Sequence, residues 1–491
     1  MWTRDSLRDL VKEKLAEYLF IVVSNREPYL HTFSGKKIIT RVPASGLTTA
    51  LDPVMRACGG TWIAHGSGDA DKKVVDKDNK VGVPPEKPSY FLKRIWLSEE
   101  EEKGYYFGFS NEALWPLCHI AYTRPVFNEP DWNMYKKVNG IFAKAVLDEV
   151  GDRKAFVFIH DYHLTLLSRL IKEKNPNIIT AQFWHIPWPN PEAFRICPWQ
   201  EEILKGLLGN DLLGFHIQYH CNNFMDTIDK AIEARVDRES FEVIYEGEKT
   251  AVRPFPISID FDAIARDAQK KEVKTEIERF RKKLGLKEEV IGVGFDRIDY
   301  TKGIPERFRA IARFFEKYPE YRSKVIFIQG GVSSRSQLES YKKLNSEIND
   351  LQEKINWEHD PGRWKAIIYL REHLSQLSLM ALRRMADFFV VSSLHDGMNL
   401  VAKEFVSSRV DEDGVLVLSP FTGAARELQD ALQVNPYAID YFADAIKIAI
   451  EMPKEERQKR MQKMRKVVEE NNIYKWAADI ITDLVKFEFG D

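Results

Sequence analysis

Short apolar runs, each followed by a stretch with helical periodicity, recur along the whole 491-residue chain. In the first half these runs are LFIVVSN (19–25), AFVFIHD (155–161), IITAQFWHI (178–186) and DLLGFHI (211–217). In the second half they are EVIGVGFD (289–296), KVIFIQGG (324–331), FFVVSS (388–393) and GVLVLS (414–419). Continuous apolar strands that alternate with helices predict parallel sheets covered on both faces. Because the alternation comes in two blocks, it predicts two doubly wound α/β domains.

The predicted boundary between the domains lies in the segment Val252–Asp260, where two prolines separate a strand-like run from a charged helical stretch. We therefore predict a first domain over residues 1–255 and a second domain over residues 256–455. Residues 456–491 have the charge and periodicity of amphipathic helices, and we predict that they return to the first domain.

Composition limits the classes of molecule that the chain is expected to bind. Lys and Arg (72) nearly balance Asp and Glu (74), and a net charge of -2 argues against a dedicated nucleic-acid or anionic-membrane partner. The N-terminus lacks the pattern of a signal peptide, and no apolar run approaches the ~20 residues of a membrane span. The 4 cysteines have irregular spacing, which is typical of reduced thiols. We predict a cytoplasmic protein that acts on small molecules.

Candidate chemistry lies at the ends of the apolar runs, because ligands of open parallel sheets bind beyond the carboxyl ends of the strands. The polar residues found there are Asn25, Arg26, Asp161, His185, Asp296, Arg297 and Asp396. Two domains that face each other would combine two such sets of strand ends in one cleft.

The segment GFDRIDYTKGIPERF carries two cations between a strand and a helix. Pro305 is favoured in the first turn of a helix, so Arg297 and Lys302 would stand near a helix N-terminus. Two fixed cations at such a site can hold a diphosphate. The alternative is an ordinary pair of basic residues on the surface.

The segment SSLHDGMNLVAKEF follows another buried strand and opens a helix. Gly397 would let backbone N–H groups approach a ligand closely. Asp396 could accept hydrogen bonds from sugar hydroxyls, and Glu404, two turns along the helix, could accept from a ribose diol. The alternatives are N-capping for Asp396 and a solvated helix face for Glu404.

Two histidine pairs have spacings compatible with metal binding, His160 with His163 and His216 with His220. A metal site would need a third protein ligand, so polar or structural hydrogen bonds are the favoured interpretation. The chain has no G-x-S-x-G, Walker or complete G-x-G-x-x-G motif, which argues against hydrolase, P-loop kinase and dehydrogenase functions.

Several long motifs in order resemble the trehalose-6-phosphate synthase family. They are VVSNREP, YYFGFSNEALWP, HDYHLTLL, HIPWPNPEAFR, LLGNDLLGFH, GFDRIDYTKGIPER, DGMNLVAKEF and VNPY. The resemblance extends from about Phe20 to Tyr437. It implies a retaining glycosyltransferase of the GT-B type, with two facing Rossmann-like domains and the active site in the cleft between them.

The resemblance also implies roles for individual residues. The implied donor site contains Arg297, Lys302, Asp396, Gly397, Met398, Asn399, Leu400, Val401, Glu404 and Gly46. The implied acceptor site contains Arg26, Tyr106, Trp115, Asp161 and Arg335. The residues implied in catalysis are Arg297, Lys302, His185, Asp161 and Asp396.

The implied reaction moves glucose from a nucleotide diphosphate glucose to glucose 6-phosphate and forms trehalose 6-phosphate, without a metal or another cofactor. The sequence leaves open UDP-, GDP- or ADP-glucose as donor, and it leaves open a homo-oligomer. One alternative is that the acceptor is glycerol phosphate. A more distant alternative is that the chain is a pseudo-glycosidic coupling enzyme of aminocyclitol biosynthesis. A further alternative is a non-catalytic sensor of sugar phosphates.

Four segments depart from the family pattern. The usual paired glycines near the N-terminus read PASGL, in which only Gly46 remains, and His65 in GTWIAHGSGDAD takes the place of a second tryptophan. A stretch of I-N-G-R-F-G type reads INWEHDPGRW, and His395 precedes the DGMN motif. The first two departures lie on the expected acceptor side, so they bear on the identity of the acceptor.

Overall fold

The computed structural model describes residues 1–43, 46–359 and 364–489. The chain forms two compact units, a first unit of residues 1–257 with 473–491 and a second unit of residues 258–472. The sequence placed the corresponding boundary between residues 255 and 256. Parts of the PASGL and INWEHDPGRW departures, residues 44–45 and 360–363, lie outside the described residues.

The first unit contains a mixed sheet with a parallel centre. Its strands and those of a separate hairpin are β1 Leu19–Arg26, β2 Leu30–Ser34, β3 Lys37–Arg41, β4 Thr61–His65, β5 Lys80–Val83, β6 Tyr90–Ile95, β7 Ala155–His160, β8 Ile179–Phe183, β9 Leu212–Phe215, β10 Arg235–Asp237, β11 Glu242–Tyr245 and β12 Glu248–Pro254. The order in the sheet is β10-β11-β12-β9-β8-β7-β1-β4-β6-β5, and β2 pairs only with β3 within the described residues. From β12 to β6 all neighbours are parallel, whereas β5, β10 and β11 join antiparallel at the edges.

Helices and one wide helical segment connect these strands. They are α1 Arg4–Lys14, α2 Gly46–Cys58, α3 Asp71–Val74, α4 Glu99–Glu102, α5 Trp115–His119, α6 Glu129–Val150, α7 Leu167–Lys172, α8 Pro191–Phe194, α9 Gln200–Leu207 and α10 Gln218–Ala231. Lys103–Leu114 is a π-helix, and Tyr162–Leu164 is a 3₁₀ turn.

The second unit contains a fully parallel sheet with the order β15-β14-β13-β16-β17-β18. Its strands are β13 Val290–Ile298, β14 Val325–Ser333, β15 Ile367–Leu370, β16 Phe388–Val391, β17 Val415–Leu418 and β18 Leu432–Gln433. Its helices are α11 Phe261–Asp267, α12 Lys271–Leu284, α13 Ile304–Lys317, α14 Glu339–His359, α15 Gln376–Met385, α16 Leu400–Ser408, α17 Ala424–Glu427, α18 Ile439–Glu451 and α19 Lys454–Glu470. Tyr300–Lys302 and Pro319–Tyr321 are 3₁₀ turns.

Local chemistry explains where these elements begin and end. Burial of the continuous apolar runs on both faces gives the central strands, as predicted. Pro305 lies in the first turn of α13, and Gly285 ends α12 in the left-handed conformation at φ +66. The predicted α/β class is therefore confirmed, with a fully parallel sheet in the second unit and a parallel centre in the sheet of the first unit.

The last two helices belong to different units. The final helix, α20 Ile473–Phe489, packs on α1 and α2 of the first unit. By contrast, α19 packs on α16 and α11, where Met461, Met464 and Val468 are buried. The prediction that residues 456–491 return together to the first domain is therefore wrong for α19, because its apolar stripe is covered by the second unit. Among the helices of the described residues, none combines the length and hydropathy of a bilayer-spanning segment.

Candidate active site

The strand order creates one switch point in each parallel sheet. In the second unit the chain moves outward from β13 through β14 to β15 and returns to the other side of β13 at β16. In the first unit it moves outward from β1 through β4 to β6 and returns at β7. Ligands of open parallel sheets bind at such points, beyond the carboxyl ends of the two strands. Candidate chemistry therefore lies after β13 and β16 in one unit, and after β1 and β7 in the other.

Lys302 and Asp396 meet at the switch point of the second unit. Lys302 ends the 3₁₀ turn after β13, and Asp396 lies in the loop after β16. Lys302 Nζ donates to Asp396 Oδ2 over 2.5 Å, with 12% and 14% of the two side chains exposed. Ser393 Oγ and Asn399 Nδ2 donate to the same oxygen over 3.2 and 3.1 Å. The carboxylate thus holds the ammonium group at the strand ends, and Lys302 is not an ordinary surface cation.

The helix after Asp396 is capped by a different residue. Asn399 has φ +86, and its side chain accepts a hydrogen bond from the Ala402 backbone N–H over 3.1 Å. Asn399 is therefore the N-cap of α16, so the alternative that Asp396 caps this helix is wrong. The Asp396 carboxylate lies instead beside Lys302.

The backbone of Gly397 and Met398, which lead into Leu400 and Val401 of α16, is held by the loop after β17. The Ala424 N–H donates to the Met398 carbonyl over 2.9 Å. A β-carbon on Gly423 would lie 2.1 Å from the Gly397 carbonyl oxygen, so only glycine permits this approach. The predicted donor-binding backbone is thus fixed at the N-terminus of α16.

Three cations lie around the buried carboxylate of Asp299. Arg335 Nη1 donates to Asp299 Oδ2 over 3.2 Å and to the Tyr341 hydroxyl over 2.5 Å. Burial acts to raise the pKa of Asp299, but the charges of the cations outweigh it and lower that pKa. These cations are Arg335, Arg297 and Lys302. The structure therefore brings Arg297 and Lys302, the two cations predicted to hold the diphosphate, together with Arg335 of the implied acceptor site.

Glu404 faces a neighbouring helix rather than bulk water. Its Oε2 accepts from the Arg383 guanidinium of α15, and Arg383 is buried. The alternative of a solvated helix face is therefore wrong. Within the described residues this ion pair engages Oε2, which leaves Oε1 for a ligand hydroxyl.

A buried arginine supports the strand ends from behind. Arg307 of α13 is fully buried and donates to Asp296 Oδ2 and Gln329 Oε1, each over 2.7 Å. Its Nε donates over 3.0 Å to Ser392 Oγ, which donates over 2.9 Å to the Gly303 carbonyl. Burial raises the pKa of the Asp296 carboxyl despite the neighbouring arginine. This network joins β13, β14, the start of the loop after β16 and the turn that carries Lys302.

Arg26 and Tyr106 meet beyond the end of β1 in the first unit. Arg26 Nη2 donates to the Tyr106 hydroxyl over 2.9 Å. Tyr106 lies on the π-helix, and its ring stacks on His163 with centroids 5.6 Å apart and planes at 11°. Segments of π-helix are rare and occur frequently at functional sites. Two of the predicted acceptor residues thus form one contact pair.

Trp115 and Gly46 are two further residues of the first unit that the resemblance implies in ligand binding. Trp115 begins α5 directly after the π-helix and is only 5% exposed. Its ring centroid lies 4.0 Å from that of His119 and 5.8 Å from that of Tyr162, so the structure packs much of it inside the first unit. Gly46 is the first residue of α2. Their ligand contacts stay predictions.

Asp161 adopts a backbone conformation that is nearly restricted to glycine. It follows β7 with φ +74 and ψ 174, which costs about 1–3 kcal/mol for other residues. Its Oδ1 accepts from the backbone N–H groups of Tyr162 and His185, over 3.0 and 3.3 Å. Strain of this kind persists where the surrounding structure fixes it, typically at functional sites. The structure thus places Asp161 against His185, its predicted neighbour near the reacting carbon.

The histidine pairs are engaged in hydrogen bonds and ring contacts. His160 Nδ1 lies 3.0 Å from His185 Nε2, and His216 Nε2 donates to the His185 carbonyl over 3.0 Å. Burial lowers the pKa of His160 to about 3 and that of His185 well below its usual range. Among the described residues, no three His, Cys, Asp or Glu side chains converge as a metal site requires.

The unusual segment after β4 is built on a buried ionic network. Arg94 Nε donates to Glu27 Oε2 over 2.7 Å, and Arg94 Nη2 lies 3.0 Å from Asp71 Oδ1. Asp71 also accepts from the backbone N–H groups of His31 and Gly68, over 2.8 and 2.6 Å. A β-carbon on Gly68 would lie 2.3 Å from the His31 carbonyl oxygen. The Gly-Ser-Gly-Asp run is therefore explained by packing against the hairpin.

His65 itself ends β4 and is buried. Burial lowers the pKa of its imidazole to about 4, so the side chain is neutral at physiological pH.

The sequence matches the model of glycosyltransferase family 20 over residues 18–486. The chain belongs to this family. A trehalose-6-phosphate synthase of Mycobacterium avium (strain 104) is 35% identical over 476 residues, which are 95% of each chain. This family-20 glycosyltransferase also has solved structural relatives.

A UDP-forming alpha,alpha-trehalose-phosphate synthase from Burkholderia xenovorans, solved in complex with glucose-6-phosphate, is 30% identical with a TM-score of 0.85. The likeness covers 95% of this chain and 99% of that chain. An E. coli structure bound with UDP-2-fluoro glucose is 31% identical with a TM-score of 0.84, over 95% and 99% of the two chains. The fold of the family-20 chain is accordingly of the GT-B type, as the motifs implied.

Several charged residues of this family-20 enzyme escaped the sequence analysis. They are Glu27, Arg94, Asp299, Arg307 and Arg383. Each contributes to a buried ion pair. A charge inside an otherwise apolar periodic stretch is the signal that could have revealed them, as with Arg307 between Ile304 and Phe308.

Proposed function

We propose that this chain transfers glucose from UDP-glucose to glucose 6-phosphate with retention, forming trehalose 6-phosphate. The observation that carries the proposal is the buried Lys302–Asp396 pair at the switch point of the second unit. The relatives, which include UDP-forming synthases and one solved in complex with glucose-6-phosphate, supply the substrates of the proposal. The relative bound with UDP-2-fluoro glucose favours UDP over other nucleotides.

On the donor side, the leaving diphosphate would be stabilised by fixed positive charge. Lys302 Nζ has three N–H groups, and the bond to Asp396 uses one of them. Arg297 and the N-terminus of α13 add positive charge near the end of β13. Charge that is already in place where the transition state develops its own charge is commonly the largest catalytic contribution.

Retention follows if the acceptor hydroxyl attacks the face from which the diphosphate leaves. The new bond joins the acceptor oxygen to the anomeric carbon, and the bond from that carbon to the diphosphate oxygen breaks. The departing phosphate oxygen takes the proton of the acceptor hydroxyl, so the step is balanced without an enzymic base. Asp161 and His185 would contact the sugars beside the reacting carbon.

No metal enters this proposal. In it, Lys302 and Arg297 supply the positive charge at the leaving diphosphate. Initial rates with and without EDTA check this point, and we expect them to be equal. The four cysteines are free thiols, which suits the cytoplasmic location that we propose.

The test is a matrix of donors and acceptors with the purified protein, read by mass spectrometry of the products. UDP-, GDP- and ADP-glucose are combined with glucose 6-phosphate, glycerol phosphate and unphosphorylated glucose. The expected result is a disaccharide phosphate from UDP-glucose and glucose 6-phosphate at the highest kcat/KM. A higher kcat/KM with glycerol phosphate would replace the proposed acceptor, and no transfer with any donor would overturn the proposal.

Replacing Tyr106 by phenylalanine is expected to raise the KM for glucose 6-phosphate about tenfold, because hydrogen bonds to charged groups are worth ~1.5–3 kcal/mol. The lost hydroxyl accepts from Arg26, a predicted acceptor-binding cation. Steady-state kinetics with saturating donor measure the effect. Tyr105→Phe is the matched control, because the buried Tyr105 hydroxyl makes no hydrogen bond within the described residues. An unchanged KM in Tyr106→Phe would contradict the assigned role.

A further inference from the structure

Three histidines stand at the ends of three neighbouring strands in the first unit. His160 is the last residue of β7, His185 follows β8 by two residues, and His216 directly follows β9. The sheet order β9-β8-β7 brings these ends to one edge. Of these three histidines, only His185 contacts a sugar in the proposed mechanism.

His185 is held at three atoms. Its backbone N–H donates to Asp161 Oδ1 over 3.3 Å, and its carbonyl accepts from His216 Nε2 over 3.0 Å. A carbonyl can only accept, so His216 carries its proton on Nε2. The third contact joins His185 Nε2 to His160 Nδ1 over 3.0 Å, and here either ring could donate.

Burial decides that both rings are neutral. It lowers the pKa of His160 to about 3 and that of His185 well below its usual range. At neutral pH each imidazole therefore carries a single proton, and one proton lies between the two facing nitrogens. The proton on this contact fixes the tautomer of both rings.

The surroundings of His160 favour one arrangement. The residue is fully buried, its ring lies 4.1 Å from Phe158 and 6.4 Å from Trp476 of α20 by centroids, and its Nε2 has no hydrogen-bond partner within the described residues. Buried N–H groups without an acceptor are rarer than acceptors without a donor. The proton of His160 is therefore best placed on Nδ1, where it has a partner.

We propose that His160 is a positioning residue, which donates from Nδ1 to His185 Nε2 and so keeps the proton of His185 on Nδ1. Within the described residues His185 Nδ1 makes no hydrogen bond, and the residue is half-buried. This N–H is the donor that His185 offers to a sugar hydroxyl. The catalytic part of the inference rests on the proposed function, whereas the tautomer does not.

Nitrogen-15 NMR of the wild-type protein labelled at its histidine rings tests the tautomer directly. The expected spectrum of His185 has a protonated Nδ1 and an unprotonated Nε2 that accepts a hydrogen bond. The reverse pattern would overturn the inference. This measurement needs no substrate, so it stays decisive even if no transfer is detected.

Two substitutions of His160 test the consequence for the reaction. His160→Phe keeps the ring volume but removes the donor, and we expect kcat to fall about tenfold, as for one lost hydrogen bond. His160→Asn places an amide N–H near the position of Nδ1, and we expect it to retain most of the activity. In His160→Phe the His185 resonances should shift toward the Nε2-protonated tautomer.

A double-mutant cycle separates positioning from packing. If His160 acts through His185, then His160→Phe has no further effect on kcat in a His185→Phe background. An equal loss in both backgrounds, or wild-type kcat in His160→Phe alone, would overturn the inference. If the wild type itself transfers no glucose while the tautomer is as expected, the proposed function fails and the hydrogen bond stands.

Discussion

Replacement of Lys302 by methionine is expected to lower kcat for glucosyl transfer about 100- to 1,000-fold, because the departing diphosphate loses a pre-positioned cation. Methionine keeps most of the apolar stem and removes the ammonium group together with its hydrogen bond to Asp396. The contact acts mainly in the transition state, so kcat and kcat/KM for the donor should fall together. Initial rates with the purified variant measure both.

The matched control is Lys317→Met, which also removes a lysine paired with an aspartate. Lys317 donates to Asp444 of α18 on the surface, where 25% and 40% of the two side chains are exposed. Exposed ion pairs contribute only ~0–1 kcal/mol to stability. Because Lys317 is also not a residue of the proposed active site, kcat should stay unchanged. Wild-type kcat in Lys302→Met, with thermal unfolding unchanged, would remove the observation on which the proposed function depends.

The largest loss of stability is expected from Arg307→Met. The substitution leaves Asp296 buried without its ionic partner, and breaking a buried ion pair from one side costs about 3–5 kcal/mol. Gln329 and Ser392 lose their donor at the same time. Hydrogen exchange of the β13 and β16 amides reports the local free energy of opening, and calorimetry reports the unfolding temperature of the second unit.

Arg309→Met on the same helix is the control for this prediction. Arg309 pairs with Glu347, and both side chains are more than 40% exposed. The expected loss is about 0–1 kcal/mol, since water screens this pair. Equal protection of β13 in the two variants would show that the buried network contributes little to the fold.

Local sequence patterns identified eight strands and the polar residues at their ends, namely β1, β7, β8, β9, β13, β14, β16 and β17. They did not identify β4, β6 or β15, which pair in parallel in the same sheets. The runs that end at Asn25 and Asp161 lie on β1 and β7, and those that include Asp296 and Ser392 lie on β13 and β16. This part was predictable because a strand buried on both faces needs a continuous apolar run, and the first polar residue marks where burial ends. The motif around Lys302 was recognisable for the same local reason.

The sequence was less informative about which residue caps a helix and which unit a helix packs against. The sequence offered Asp396 as a possible cap of α16, and only the conformation and hydrogen bond of Asn399 showed that Asn399 caps it instead. Similarly, the sequence interpretation sent α19 and α20 to the same domain, yet they pack on different units. An apolar stripe states that a helix must be covered, but it does not state by which element.

The sequence by itself determined the α/β class, the family and the residues that carry the proposed chemistry. The tertiary structure alone decided which of them meet, as with Lys302 and Asp396, which are 94 positions apart, and which buried charges support them. The physical reason is that periodicity is a property of neighbouring residues, whereas strand order is set by how the whole chain crosses over its sheet. Residues become buried only when these crossover connections form, and burial then determines how strongly each charged group interacts with its neighbours.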